Sequence, residues 1–276
     1  MQRMAAKGRG WRVLRQALLE GRLAEEADCR AQSASAGFGL LPCTRTPPAS
    51  PEAQYELAHY HVPLDGEAAG GDGRAACACG QAACRVVDVR VRVAARARIT
   101  LQELAAADNT GNVRIWEAEL LLARLVARPS GAWGAALRGA GAVLELGAGM
   151  GGVAGLAAAA TLGARVLLTD GNAACAANLR FSAHLNDAAL GGAAAAGRLA
   201  ALHLPWQEAR AQLEGGAWDL ALAADCMFLE EHHATLVAAL AWALRPGGRL
   251  LALAPGRGGS RARFVAGAPP RGALEL

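Results

Sequence analysis

Lysine is almost absent: Lys7 is the single one among 276 residues, and arginine carries nearly all the positive charge. Aromatic residues make up only 4% of the chain. Charged residues reach 19%, below the roughly 25% usual in soluble domains. Apolar residues reach 53%, so the chain can bury enough surface to offset its conformational entropy, and this excludes disorder for its bulk. The length allows one large domain, or one domain with an appendage.

Basic excess is also missing where it would matter. Residues 1–100 carry 14 basic and 10 acidic residues, whereas residues 101–276 carry 14 of each. A balanced C-terminal part lacks the basic stripe that releases phosphate counterions, so no nucleic-acid partner is expected. The longest uncharged run, Leu146 to Ala164, holds six glycines and seven alanines in 19 residues. That composition drives membrane insertion too weakly, and no membrane partner is expected. The acid-free start (residues 1–19) has the charge of a transit peptide, but the first serine is Ser33; a basic helix over Trp11 to Leu23 is the favoured reading. Seven cysteines form no regular framework and no secretory signal precedes them, which predicts a reducing compartment. Cys77, Cys79 and Cys84, with His59 and His61 upstream, match zinc spacing poorly and read as loop thiols.

Four regions follow from the patterning: 1–29, a basic N-terminal helix; 30–84, a Pro-, Gly- and Ala-rich segment without periodicity, read as flexible or inserted; 85–264, the main domain with a strand and helix leading into it; and 265–276, an irregular tail. Val86 to Val93 alternates as a strand. A helix with an apolar side of Leu120, Leu121 and Leu125 follows. From Ala142 onward short apolar strands alternate with helices, the pattern of parallel βαβ units. The strands are Ala142 to Leu146, Arg165 to Thr169, Leu199 to Leu204, Trp218 to Ala224 and Arg249 to Ala254. The helix before the last strand is expected to stop at Pro246-Gly247-Gly248.

Gly147, Gly149 and Gly152 form a G-x-G-x-x-G loop between the first of these strands and its helix. Residues without a Cβ let the backbone approach a ligand there. Asp170 ends the next strand and can accept hydrogen bonds from both hydroxyls of an adenosine ribose. Loop and carboxylate together suit NAD and S-adenosylmethionine equally. Three further features separate them: the lead-in from Asn109 to Trp116, a flat aromatic after the third strand (Pro205-Trp206), and Asp225-Cys226-Met227-Phe228 at the carboxyl end of the fourth strand.

At these residues the chain resembles the seven-strand, S-adenosylmethionine-dependent protein-lysine methyltransferases. The matching strings are W-R-V-L-R-Q (Trp11 to Gln16), D-N-T-G-N-V-R-I-W (Asp108 to Trp116), E-L-G-A-G-M (Glu145 to Met150), L-L-T-D-G-N (Leu167 to Asn172), A-D-C-M-F-L (Ala224 to Leu229) and A-P-G-R-G (Ala254 to Gly258). The resemblance implies an α/β, Rossmann-like doubly wound sheet with helices on both faces and S-adenosylmethionine as cofactor. It further implies a monomer acting on a protein substrate, calmodulin, in the cytoplasm and also the nucleus. Glu145, Gly147, Ala148 and Gly149 would surround the cofactor's methionine moiety. Asp170 would hold the ribose, Trp206 would lie near the adenine, the Ala224 backbone would touch the cofactor, and Trp116 would close over it. Asp225 and Phe228 match an acidic-x-x-aromatic motif of the target-lysine channel. Trp116 is followed by Glu117-Ala118 where the family continues with proline. Only 22 residues follow Ala254, against about 50 expected for the family's closing helix and antiparallel strand pair. Missing or shortened C-terminal strands are therefore expected; a methyltransferase acting on a lysine of another protein and a non-catalytic relative that binds a protein partner are the alternative readings, followed by an NAD-linked oxidoreductase.

Overall fold

The structure is a computed structural model that describes residues 41–48, 50, 53–64, 84–92, 111, 114–128, 131–256 and 258–267. The expected helix over Trp11 to Leu23, the cysteines Cys77 and Cys79, and Asn109, Thr110, Asn112 and Val113 of the lead-in lie outside the described residues.

A five-stranded parallel sheet organises the chain: β4 (Ala142–Leu146), β5 (Arg165–Asp170), β6 (Leu199–His203), β7 (Trp218–Ala224) and β8 (Leu244–Leu253). Their spatial order is β6-β5-β4-β7-β8. The direction of winding thus reverses between β4 and β7, and in such sheets ligands bind outside the carboxyl ends of the strands at that switch point.

Alternation along each strand divides the core in two. Val143, Val166, Leu168, Leu220 and Leu222 point to a layer formed by α1 (Glu117–Ala127), α3 (Val153–Thr161) and α4 (Ala173–Leu185). Leu144, Leu146, Ala221, Ala223 and Leu250 point to the other face, against α6 (His233–Ala243) and α7 (Ser260–Gly267). Two short helices, α2 (Gly131–Arg138) and α5 (Ala209–Gln212), precede β4 and β7. The parallel βαβ units expected from the strand–helix alternation, and the doubly wound sheet that the resemblance implies, are observed. Among the described residues the sheet has these five strands and no antiparallel closing pair.

Three expectations need correction. The segment 30–84 is not irregular throughout: β1 (Cys43–Thr46) and β2 (Tyr55–Pro63) form an antiparallel sheet with β3 (Cys84–Arg92), and Ala58, Tyr60 and Val62 are buried. The alternation within Tyr55–Pro63 was masked by its proline-rich flanks. Cys84 accordingly begins a strand, with its Sγ 3.6 Å from Nδ1 of His61. Helix α1 buries Leu120, Leu122, Ala123 and Val126, leaving Leu121 and Leu125 outward, because consecutive leucines offer two competing apolar stripes. Finally, β8 begins at Leu244, with Pro246-Gly247-Gly248 inside it. The register slips between the Trp218–Leu244 and Leu220–Arg249 pairs, the irregularity that proline and glycine permit in a strand.

Candidate active site

Four loops converge at the carboxyl ends of the strands. After β4 the chain passes through Gly147 (φ 66°), Gly149 (φ 59°) and Gly152 (φ 59°), all left-handed, where a side chain would be strained. Space is also lacking. A Cβ on Gly147 would lie 2.7 Å from Cys226 Sγ, with Trp206 Cζ2 at 3.6 Å, so this one position touches the loops after β6 and β7.

Asp170 is buried at the end of β5. Its Oδ2 accepts from the Gly149 amide at 2.8 Å and its Oδ1 from the Asn172 amide at 2.8 Å. The Ala148 amide donates to Thr169 O at 2.9 Å. Trp206 is half-buried, its ring edge-on to His232 at 6.4 Å between centroids.

After β7, Asp225 is the single non-glycine residue with positive φ among the described residues (55°), and its amide continues the ladder to Leu253 O at 2.7 Å. A left-handed aspartate costs on the order of 1 kcal/mol and persists where surrounding bonds enforce it. Here Cys226 Sγ is anchored to Leu146 O at 3.2 Å. Met227 O accepts from Ser260 Oγ and from His233 Nε2. The turn so pinned leaves Phe228 exposed while burying Cys226 and Met227. Burial drives the Cys226 thiol far above its usual range, with the nearby carboxylates adding to the effect. It stays protonated and is no nucleophile.

The expected residues Gly147, Ala148, Gly149, Asp170, Trp206, Ala224, Asp225 and Phe228 therefore lie on the strand ends and loops at the carboxyl side of the parallel sheet. Glu145 and Trp116 are placed differently. Glu145 faces the helix layer beneath the loop, accepting from the Gly155 amide through Oε2 at 2.8 Å, and its Oε1 has no hydrogen-bond partner among the described residues. Trp116 caps the start of α1, with the Arg114 guanidinium 4.5 Å from its ring centre. Its neighbours meet the loop: Gly111 O accepts from the Met150 amide at 3.0 Å, and a Cβ on Gly151 would be 2.8 Å from Ile115 Cγ1.

Sequence reasoning missed Glu119. This buried carboxylate accepts from the Val153 amide at 2.5 Å, at the first residue of α3. A glutamate inside the apolar run of α1 was its only signal.

Glu119, Glu145 and Asp170 thus form an acidic floor under the loop. Burial raises the Glu119 carboxyl well above its usual value, and the Glu145 charge adds to this. Burial likewise pushes Glu145 from 4.5 up to about 7, the Gly155 amide opposing the rise and Asp170 supporting it. The folded chain therefore keeps a proton at Glu145 that the unfolded chain releases. The stabilising effect of that proton is complete below about pH 4.5 and is lost as pH rises toward 7. Glu145→Gln should flatten this loss by on the order of 3 kcal/mol, read as the difference in urea midpoint between pH 5 and pH 7.5. An unchanged pH slope would contradict the assignment.

The floor also determines which ligand the loop suits. A pyrophosphate would use the amides at the helix start, but Gly149, Val153 and Gly155 already donate to Asp170, Glu119 and Glu145. Asp170, an acceptor at the strand end, instead suits a ligand with hydroxyl donors, and S-adenosylmethionine carries them on its ribose.

The family model of lysine methyltransferases matches residues 95–266. A calmodulin-lysine N-methyltransferase of Arabidopsis thaliana is 28% identical over 265 residues, covering 92% of this chain and 79% of that protein. Among solved structures, TrmN of Thermus thermophilus aligns with a TM-score of 0.39 at 23% identity, over 55% of this chain and 41% of that one. An arsenic(III) S-adenosylmethionine methyltransferase of Chlamydomonas reinhardtii aligns at 0.32 and 24%, over 40% and 38%.

Proposed function

This chain belongs to the lysine methyltransferase family, with S-adenosylmethionine as methyl donor, and from that premise we propose that it methylates a lysine side chain of calmodulin. The observation that carries the reading is the acid-floored glycine loop, whose amides are already occupied by Glu119, Glu145 and Asp170. Calmodulin as the substrate is supported by the 28% identical Arabidopsis relative of that name.

In this reading Asp170 accepts hydrogen bonds from the ribose, and Gly147, Ala148 and Gly149 admit the methionine part of the cofactor to the backbone. Glu145 acts from beneath as part of the floor. Trp206 covers the adenine beside Gly147, Ala224 contributes its backbone, and the lead-in before Trp116 meets the loop through Gly111 and Ile115. The cofactor supplies an electrophilic methyl group on a sulfonium. The protein's task is alignment, which lowers a displacement barrier by several kcal/mol.

The acceptor amine must be neutral to attack, and an apolar wall disfavours its charged form. Phe228 provides that wall and attracts a partly methylated ammonium through its ring face. Asp225, held left-handed, points the turn toward the crevice and orients the amine. No covalent intermediate with the protein is required.

Phe228→Ala should lower kcat/KM for calmodulin by about tenfold or more while leaving S-adenosylmethionine affinity within about twofold. Equal turnover by the variant would remove Phe228 from the acceptor channel. Titration calorimetry with S-adenosylmethionine and NAD side by side should give heat with the former only; binding of NAD alone would overturn the cofactor assignment. Labelling of a proteome extract that marks a protein other than calmodulin would replace the substrate.

A further inference from the structure

The outer edge of β3 presents unpaired backbone groups, which sheets normally cover. In this chain one stripe of α4 and its C-cap, Asn186, covers them with side chains. Asn178, Ser182 and Asn186 recur every fourth residue and are all buried. Asn186 Oδ1 accepts from the Asp88 amide at 2.8 Å, and its Nδ2 donates to Asp88 O at 2.6 Å. Ser182 Oγ accepts from the Arg90 amide at 3.5 Å. Asn178 Nδ2 donates to Arg90 O at 2.7 Å, and Asn178 Oδ1 accepts from Arg90 Nε at 2.5 Å. The Arg90 guanidinium lies 4.6 Å from the Tyr55 ring centre and 4.2 Å from that of Phe181.

The second Nδ2 proton of Asn178 leaves the seam. It donates to Met150 O, in the glycine loop, at 2.8 Å. Both amide protons and the carbonyl of one fully enclosed side chain are thereby engaged, two on β3 and one on the loop. We infer that Asn178 is a positioning residue through which the three-stranded sheet, which lies N-terminal to the family-matched residues 95–266, sets the conformation of the cofactor loop. The inference rests on the reading of that loop as the cofactor site.

Its physical basis is the asymmetry of a buried amide. Asn186 engages β3 and its own helix, because its Nδ2 also donates to Ser182 O at 2.7 Å, and no bond of it reaches the loop among the described residues. Loss of either asparagine leaves strand groups unsatisfied and costs stability. Loss of Asn178 alone also frees the Met150 carbonyl.

The full chain should be compared with Asn178→Ala, Asn186→Ala and Arg90→Ala by hydrogen exchange of the amides of residues 147–153 and by calorimetry with S-adenosylmethionine. Exchange in the loop should accelerate about tenfold in Asn178→Ala and about threefold in Arg90→Ala, and stay within twofold in Asn186→Ala. The dissociation constant for S-adenosylmethionine should rise in the same order, with KM for the acceptor unchanged. Arg90→Ala, at a half-buried site, keeps the test open where Asn178→Ala does not fold. Equal effects of the Asn178 and Asn186 changes, or an unmoved loop in both Asn178→Ala and Arg90→Ala, would overturn the inference. A wild-type chain that binds no S-adenosylmethionine would instead count against the site reading, while selective loop exchange would still support the seam.

Discussion

Gly149→Arg is expected to abolish S-adenosylmethionine binding, raising the dissociation constant by at least about 100-fold, with the far-ultraviolet spectrum unchanged. Two independent constraints meet at this residue. Its φ of 59° is left-handed, where side chains are strained, and a Cβ there would lie 3.1 Å from Gly111 O. An arginine would leave the chain toward the Gly111 backbone, whose O, Cα and C lie within 3.6 Å of such a Cβ, so the loop admits it only by shifting away from the amide bond that ties Gly149 to Asp170. Calorimetry is the check, and affinity within about threefold of wild type would contradict the placement of the cofactor on this loop.

The second large effect concerns stability and has an inverted sign. Alanine in place of a helix-interior glycine ordinarily stabilises by up to about 1 kcal/mol. Gly155 lies within α3, yet Gly155→Ala should destabilise the fold by about 2 to 3 kcal/mol. A Cβ there would sit 2.2 Å from Leu168 Cδ2 and 2.5 Å from Glu145 Oε2. Leu168 is fully buried and cannot retreat, and Glu145 is tied to the amide of that same glycine. Thermal unfolding should shift down by about 5 to 10 °C; a rise in Tm would show that the helix does not press on β5 as described.

Periodicity alone located the parallel core. Trp218–Ala224 was bounded to the residue, and the turns of Gly147 to Gly152, Asp170 and Asp225 to Phe228 fall at one end of the sheet because strands that read as apolar runs end where polar and glycine residues begin. What stayed hidden is polar and buried. Glu119, Asn178, Ser182 and Asn186 are residue types usually found on surfaces, and no pattern in one sequence distinguishes a solvated asparagine from one bonded to a strand 88 residues away. Nor did the sequence reveal that strand alternation turns Glu145 into the helix layer with Val143, where it accepts from the Gly155 amide.

The placement of Phe228 has a related lesson. An exposed aromatic beside two buried residues is unusual unless the turn is forced, and the forcing groups, Ser260 and His233, come from helices more than five residues away along the chain. Their contribution emerges only when β7, α6 and α7 are assembled.

The central claim is methyl transfer from S-adenosylmethionine to a protein lysine at this crevice. Its most direct test is incubation of the full chain and of Gly149→Arg with methyl-labelled cofactor and unmethylated calmodulin, followed by mass-spectrometric mapping of the label. The expected result is label on a calmodulin lysine with the wild-type chain and none with the variant; label that persists undiminished with Gly149→Arg, or no labelled lysine in the wild-type reaction, would contradict it.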